Sequence, residues 1–354
     1  MDKKSVKEKK PRRFKLFDYN RDGKGISKSA AQLSPGLKRF FITYKENFNK
    51  IVLVNILMVI GNLPAIFLII NLAGYFKQSY FLPMSDVFQN IGGLYIADGG
   101  ATPFKMSILA LEGLQYNMLA PTTITYVFYG IGALFLFTFG LVNVGSAYIL
   151  RNMVSGSPIF LWHDFWYAIK RNIKQALPFG IFDVLITSLL VYNIVALISG
   201  TAEFFAAMLF WSNIIIFILY FFMRYYVYIQ MVTFKLSIFK IIKNSLIFSL
   251  IGIKRNLVAL LGMILTIVIE LVLFLGTGGL LVPFAVAAPF AILFSTMAYM
   301  KVYAAYFKIK EVMIDPYLDE HPEQRQTFND EPIMRDDVTE RERLETVKKR
   351  NNIK

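Results

Sequence analysis

The sequence predicts an all-α integral membrane protein of about six transmembrane helices. Three observations carry this: long unbroken apolar runs, basic residues gathered on alternate connections, and an amphipathic motif that recurs three times. Hydrophobic residues make up 56% of the 354, and mean hydropathy is +0.50. That is more apolar surface than a soluble core of this length buries, so the excess must face lipid. Inside a bilayer, backbone polar groups are satisfied only in helices or closed barrels, and these runs are too long for barrel strands.

In chain order, residues 1–36 form a basic segment expected in the cytoplasm, 37–310 the membrane domain, and 311–354 a mixed-charge tail. The first apolar run begins near Ile51, behind a polar stretch, so it reads as a retained anchor rather than a cleaved signal peptide. Uninterrupted apolar stretches place spans at 51–74, 124–150, 176–200, 205–231, 257–276 and 279–307. With the N-terminus inside, segments 1–50, 151–175 and 232–256 carry 15, 4 and 5 Lys plus Arg. The outer segment 75–123 and two short turns hold only Lys77 and Lys105. This bias puts both termini on the cytoplasmic side of a bacterial plasma membrane. The net charge of +14 sits in blocks beside apolar runs, which points to anionic lipid headgroups rather than nucleic acid.

The recurring motif aligns on three asparagines, Asn47, Asn172 and Asn256, each preceded two positions earlier by a lysine: Lys45, Lys170, Lys254. Apolar residues fall ten, six and three positions before the Asn and one after: Leu37, Phe41, Tyr44, Phe48; Trp162, Trp166, Ile169, Ile173; Leu246, Leu250, Ile253, Leu257. Spacings of four and three put each set on one helical stripe. The expectation is three amphipathic helices lying in the cytoplasmic interface, each leading into a helical hairpin.

Asp183, Arg224 and Glu270 lie within spans, where ionisable groups find a partner or a wet cavity. Asp183 and Arg224 match in depth and are expected either to pair or, for Arg224, to snorkel to an interface marked by Tyr225, Tyr226 and Tyr228. Glu270 either is hydrogen-bonded structure or lines a polar pathway. Asn55, Asn62, Asn143, Asn193 and Asn213 read as interhelix hydrogen-bonding residues. Pro64, Pro178, Pro283 and Pro289 read as kinks, and Gly61, Gly140 and Gly145 as points of close packing. In the outer segment, Met106 to Leu114 is an apolar patch beyond the Gly92 to Gly100 stretch. The tail reads as solvated, with a short helix from Thr339 to Arg350.

Catalytic chemistry is not indicated. The chain has no Cys and only His163 and His321, so it offers no HExxH, no Cys or His metal cluster and no GxSxG; no phosphate-binding Gly-rich loop is present either. His163 reads as an exposed interfacial residue. No enzyme activity, metal or cofactor is expected.

Two blocks in order, Leu150-Arg151-Asn152 with Trp162-His163-Asp164-Phe165 and Lys170-Arg171-Asn172-Ile173-Lys174-Gln175, then Arg224-Tyr225-Tyr226 with Met231-Val232-Thr233-Phe234 and Ile242-Lys243-Asn244, resemble the YesL-like family of bacterial membrane proteins. The basic stretch Phe17 to Gly25 is similar to the leader of longer members. The resemblance spans most of residues 14–310 and implies a multi-span protein encoded near carbohydrate importers and polysaccharide-degrading enzymes, of unknown activity. Shorter members pass from the first span almost directly into the block near Val142, so the segment 75–123 is a departure. The expected function is an accessory or regulatory membrane protein for carbohydrate uptake, in contact with importer subunits; the alternative is a stand-alone small-molecule transporter or channel.

Overall fold

The computed structural model describes residues 33–83, 115–198, 203–276, 278–322 and 333–335. Of the features read from the sequence, the basic segment 1–32, the Gly92 to Gly100 stretch, the Met106 to Leu114 patch and the Thr339 to Arg350 helix lie outside the described residues.

The helices are α1 (Leu37–Glu46), α2 (Phe48–Gly61), α3 (Leu63–Leu72), α4 (Thr123–Ala133), α5 (Phe135–Ser155), α6 (Leu161–Leu197) and α7 (Phe204–Thr233). They continue with α8 (Ile238–Ile251), α9 (Ile253–Leu275), α10 (Val282–Ala288), α11 (Phe294–Ile309) and α12 (Asp315–Glu320). Two π turns, Pro289–Leu293 and Lys310–Ile314, join α10, α11 and α12 into one helical run. The runs Thr123–Ser155, Leu161–Leu197, Phe204–Thr233, Ile253–Leu275 and Val282–Glu320 are each long and apolar enough to cross a membrane, and the α2–α3 pair makes a sixth if counted as one span.

That first span is not straight. α2 and α3 meet at 56° across Asn62. Pro64 has no N–H for the Ile60 carbonyl and its ring crowds that turn; the Asn62 side chain donates to the Met58 carbonyl at 3.1 Å. The other prolines behave differently: α6 runs unbroken through Pro178, Pro283 starts α10, and Pro289 opens a π turn. The π turn is held by Asn55 of α2, which donates to the Pro289 carbonyl at 2.8 Å and accepts from the Ser295 backbone N–H at 2.9 Å.

The three aligned motifs all fall in helix but are bounded differently. Only the first motif forms a helix of its own, α1. Trp162 to Ile173 lies in the first third of the 37-residue α6, which is roughly 55 Å long at 1.5 Å per residue. No glycine interrupts Lys174 to Leu177, so nothing stops the helix there. The third motif straddles the break at Gly252, and the helix preceding α9 is α8, which starts at Ile238. At that break a Cβ on Gly252 would collide with the Tyr226 hydroxyl. Beyond residue 310 the helix continues through Glu320, with Ile314 fully buried in the core.

Two short ladders complete the fold. β1 (Lys77–Pro83) pairs antiparallel with β2 (Gln115–Pro121), so the two ends of the segment 75–123 are tied together. β3 (Phe234–Lys235) pairs parallel with β4 (Ile333–Arg335), which brings part of the tail back to the bundle.

α5 is the central helix. Val144 through Val154 are buried without interruption, the mark of a helix surrounded by protein on all sides. One core cluster joins it to α2, α7, α9 and α11, another to α6, α7 and α8, and Leu141 and Leu236 pack against both. Its approach to α6 depends on glycine: a Cβ at Gly180 would lie 2.5 Å from the Gly140 Cα, and one at Gly145 would lie 2.6 Å from the Phe165 ring.

Gly180→Ala is therefore expected to force α5 and α6 apart and cost about 1–3 kcal/mol. Gly130→Ala, in α4 with nothing within 4 Å of the added carbon, is expected to gain about 0.5–1 kcal/mol. Thermal unfolding in detergent should move in opposite directions for the two variants.

Candidate functional site

The polar centre of the bundle is built on α6 and α7. Asp183 on α6 is completely buried. Arg224 on α7 meets it, with Nε 2.7 Å from Oδ1 and 3.0 Å from Oδ2. Tyr220 donates to Oδ1 and Tyr228 to Oδ2, each at 2.8 Å. Tyr220, Arg224 and Tyr228 stand at i, i+4 and i+8, so one stripe of α7 presents all three donors to one carboxylate. Asp183 sits 14 residues from the end of α6, roughly 21 Å along the axis, inside the depth of a hydrocarbon core about 30 Å thick. A carboxylate buried at that depth is costly unless its oxygens are hydrogen-bonded, and both are.

The guanidinium of Arg224 also lies over the Phe139 ring of α5, 5.5 Å from its centroid. This placement decides between the two readings of Arg224: it turns into the bundle. Tyr225, Tyr226 and Tyr228 are likewise buried rather than standing at an interface.

A cavity of about 40 Å³ opens beside this pair, lined by Asn143, Ser146, Arg224, Tyr225, Tyr228 and Lys301 among others. At roughly 10–15 Å³ per water it holds two or three. The Tyr225 hydroxyl is buried there with no hydrogen-bond partner among the described residues. Two cations and one carboxylate make the local charge positive, so water or a small anion is the occupant that this chemistry accepts.

Glu270 does not join this centre. It is half-buried on α9, five residues from the helix end, and is not among the residues lining the cavity. No hydrogen bond or ion pair to it is present among the described residues. The structure brings Asp183 and Arg224 together and leaves Glu270 apart.

The repeat residues share a pattern of exposure. Lys45, Lys170 and Lys254 are exposed, and so are Leu37, Phe41, Phe48, Trp162, Trp166, Ile173, Leu246, Leu250, Ile253 and Leu257. The apolar stripe thus faces away from the protein, as a surface meant for lipid or another protein does. Tyr44 and Ile169 are the inward members. The Tyr44 hydroxyl donates to Thr296 Oγ1 at 2.7 Å, and burial raises its phenol above the ordinary value. The asparagines face inward and act locally: Asn47 donates to the Thr43 carbonyl, Asn172 to the Ala168 carbonyl, and buried Asn256 to the Ser249 carbonyl while accepting from Tyr226 at 2.8 Å. His163 is exposed, lies 3.4 Å from its neighbour Asp164 and stacks against the Tyr167 ring at 6.0 Å.

No family model, curated protein or solved structure matches the chain. The site is therefore read from its own chemistry.

Sequence patterning did not single out Tyr220 or Lys301, and it read Tyr228 as an interfacial aromatic rather than as a donor to Asp183. The signal existed: two tyrosines four residues either side of an intramembrane arginine place three donors on one face, and Lys301 interrupts an apolar run from Met297 to Val302. Arg224 with Lys301 and the two phenols form a donor-rich pocket around one acceptor. Its evident capability is to fix the relative height of α6 and α7.

Removing the Tyr228 hydroxyl (Tyr228→Phe) is expected to cost about 1.5–3 kcal/mol, because it strips a buried charge-assisted bond from Asp183. Tyr220→Phe, at a half-buried position, should cost less. Unfolding in detergent followed by tryptophan fluorescence measures both.

Proposed function

We propose that this chain is an accessory membrane protein that works through contacts with a partner protein rather than through chemistry of its own. The observation that carries this is the first third of α6. Counting about 20 residues back from Leu197, the hydrocarbon ends near Pro178, so Leu161 to Leu177 extends beyond it. One face of that extension bears Trp162, Trp166, Lys170, Ile173 and Lys174, all exposed. The other side is braced: Arg171 donates to the Val232 carbonyl at 2.7 Å and Gln175 to the Leu236 carbonyl at 2.8 Å. A rigid helix presenting two tryptophans followed by two lysines outside the bilayer suits a protein surface, since Trp is among the residues most enriched at binding hot spots.

The resemblance of the sequence blocks to the YesL-like family supplies the partner class, the membrane subunits of a carbohydrate importer in a bacterial plasma membrane. The cavity beside Arg224 favours the rival reading, a stand-alone transporter or channel. With room for two or three waters, it suits protons or small ions better than sugars.

Affinity purification from native membranes in mild detergent tests the proposal. An importer subunit is expected in stoichiometric amount with the wild type and at least tenfold less with Trp162→Ala/Trp166→Ala at equal expression, consistent with loss of two anchors of about 2 kcal/mol each. A lone chain, with sugar uptake unchanged on deletion, would refute it. Ion flux in reconstituted vesicles that disappears in Lys301→Met would then support the rival.

A further inference from the structure

Between α1, α9 and α11 lies an open groove of about 520 Å³. Its walls are apolar: Phe40 from α1, Val258, Leu265 and Ile269 from α9, Met300 and Phe307 from α11. The α9 positions follow one stripe from Lys254 to Ile269, 15 residues or roughly 22 Å at 1.5 Å per residue, the depth of one membrane leaflet and part of its interface. Gly262 and Ala304 keep the groove open. Where α1 begins, Tyr303 donates to the Gly36 carbonyl at 2.9 Å.

The mouth of the groove is charged. Lys254 and Arg255 stand at its rim. Arg255 approaches Glu311 at 3.6 Å, but the same carboxylate also meets Lys308 at 3.3 Å, so one acidic group faces two basic ones. Arg255 Nη1 is buried with no hydrogen-bond partner among the described residues, and Arg39, whose guanidinium lies over the Phe307 ring at 4.8 Å, has its Nε in the same condition. A donor left unpaired beside an apolar cleft calls for an acceptor attached to something apolar.

We infer that this groove is a binding site for one anionic phospholipid, with an acyl chain along α9 and its phosphodiester at Lys254 and Arg255. Charge selects this occupant. A segment as basic as the chain's residues 1–32 does not complement this mouth, whereas a phosphodiester bearing a net negative charge supplies both the acceptor and the countercharge. A zwitterionic lipid brings its own cation to a rim that already holds several. By the charge asymmetry of the sequence, the lipid comes from the cytoplasmic leaflet, where anionic headgroups are attracted to such residues.

The full chain, delipidated in mild detergent, should retain one phosphatidylglycerol in native mass spectrometry under conditions that strip phosphatidylcholine of the same chain length. Lys254→Gln/Arg255→Gln should weaken retention roughly thirtyfold, the effect of two surface charges. Val258→Trp, which fills the groove from an exposed position and leaves the rim charges in place, should also abolish it; unchanged melting of either variant shows that folding is intact. Equal retention of the two lipids, or retention unaffected by both variants, would overturn the inference. So would complete displacement by millimolar inorganic phosphate, which would reduce the site to an anion pocket. Binding seen only after deletion of residues 1–32 would identify the chain's own segment as the occupant and overturn it as well.

Discussion

A carboxylate inside a bilayer cannot be left to itself, and much of this bundle is arranged around that constraint. Asp183 is buried completely, and its two oxygens take donors from a single stripe of α7. Because those donors are spaced by whole turns, sliding α7 against α6 by one turn would leave at least one donor or one oxygen without a partner. An apolar interface between two helices has no such preference, since lipid is as good a neighbour as leucine. The ion pair thus supplies what van der Waals packing in a membrane lacks, a defined height. Phe139 beneath the guanidinium and the glycine contact of Gly140 with Gly180 then draw α5 into the same unit.

The same rule governs the places where the helices are irregular. Each departure from the α-helical ladder frees backbone groups, and a nearby polar side chain takes up some of them. Asn55 answers the π turn at Pro289, and Asn71 donates to the Thr125 carbonyl at 2.9 Å where α4 begins. Asn256 spans the break at Gly252 by reaching the Ser249 carbonyl. Asn213 performs the interhelix role between α7 and α6, donating to the Leu190 carbonyl. These amides are fasteners of the scaffold, which leaves Asp183, Arg224 and Lys301 as the charged groups at its polar centre.

The number of apolar runs and the depth match of Asp183 with Arg224 were legible because both follow from one-dimensional rules, a minimum run length and a residue count from the ends. The bend at Asn62 was half legible: Pro64 marks it, but Pro178 carries the same mark and α6 passes through it. The difference lies in surroundings that no local pattern encodes, since α6 is clamped along its length by α5 and α7. The repeated motif marked helices that carry an exposed apolar stripe, but amphipathic periodicity says which way a helix faces and nothing about where it stops. Tyr220 escaped notice and Tyr228 was read as an interfacial aromatic, because tyrosine is common in membrane helices and only a buried partner gives it meaning. The β1–β2 ladder had no signal beyond its β-branched-poor, mixed composition.

The most direct test of the central claim is a double-mutant cycle on Asp183→Asn and Arg224→Gln, read as equilibrium unfolding in detergent. The account predicts that each single change costs about 3–5 kcal/mol, because it strands the other buried group. The double variant should then lose at least about 1 kcal/mol less than the sum of the two. Small and additive losses would contradict it, and would mean that the pair sits in the bundle without holding it together.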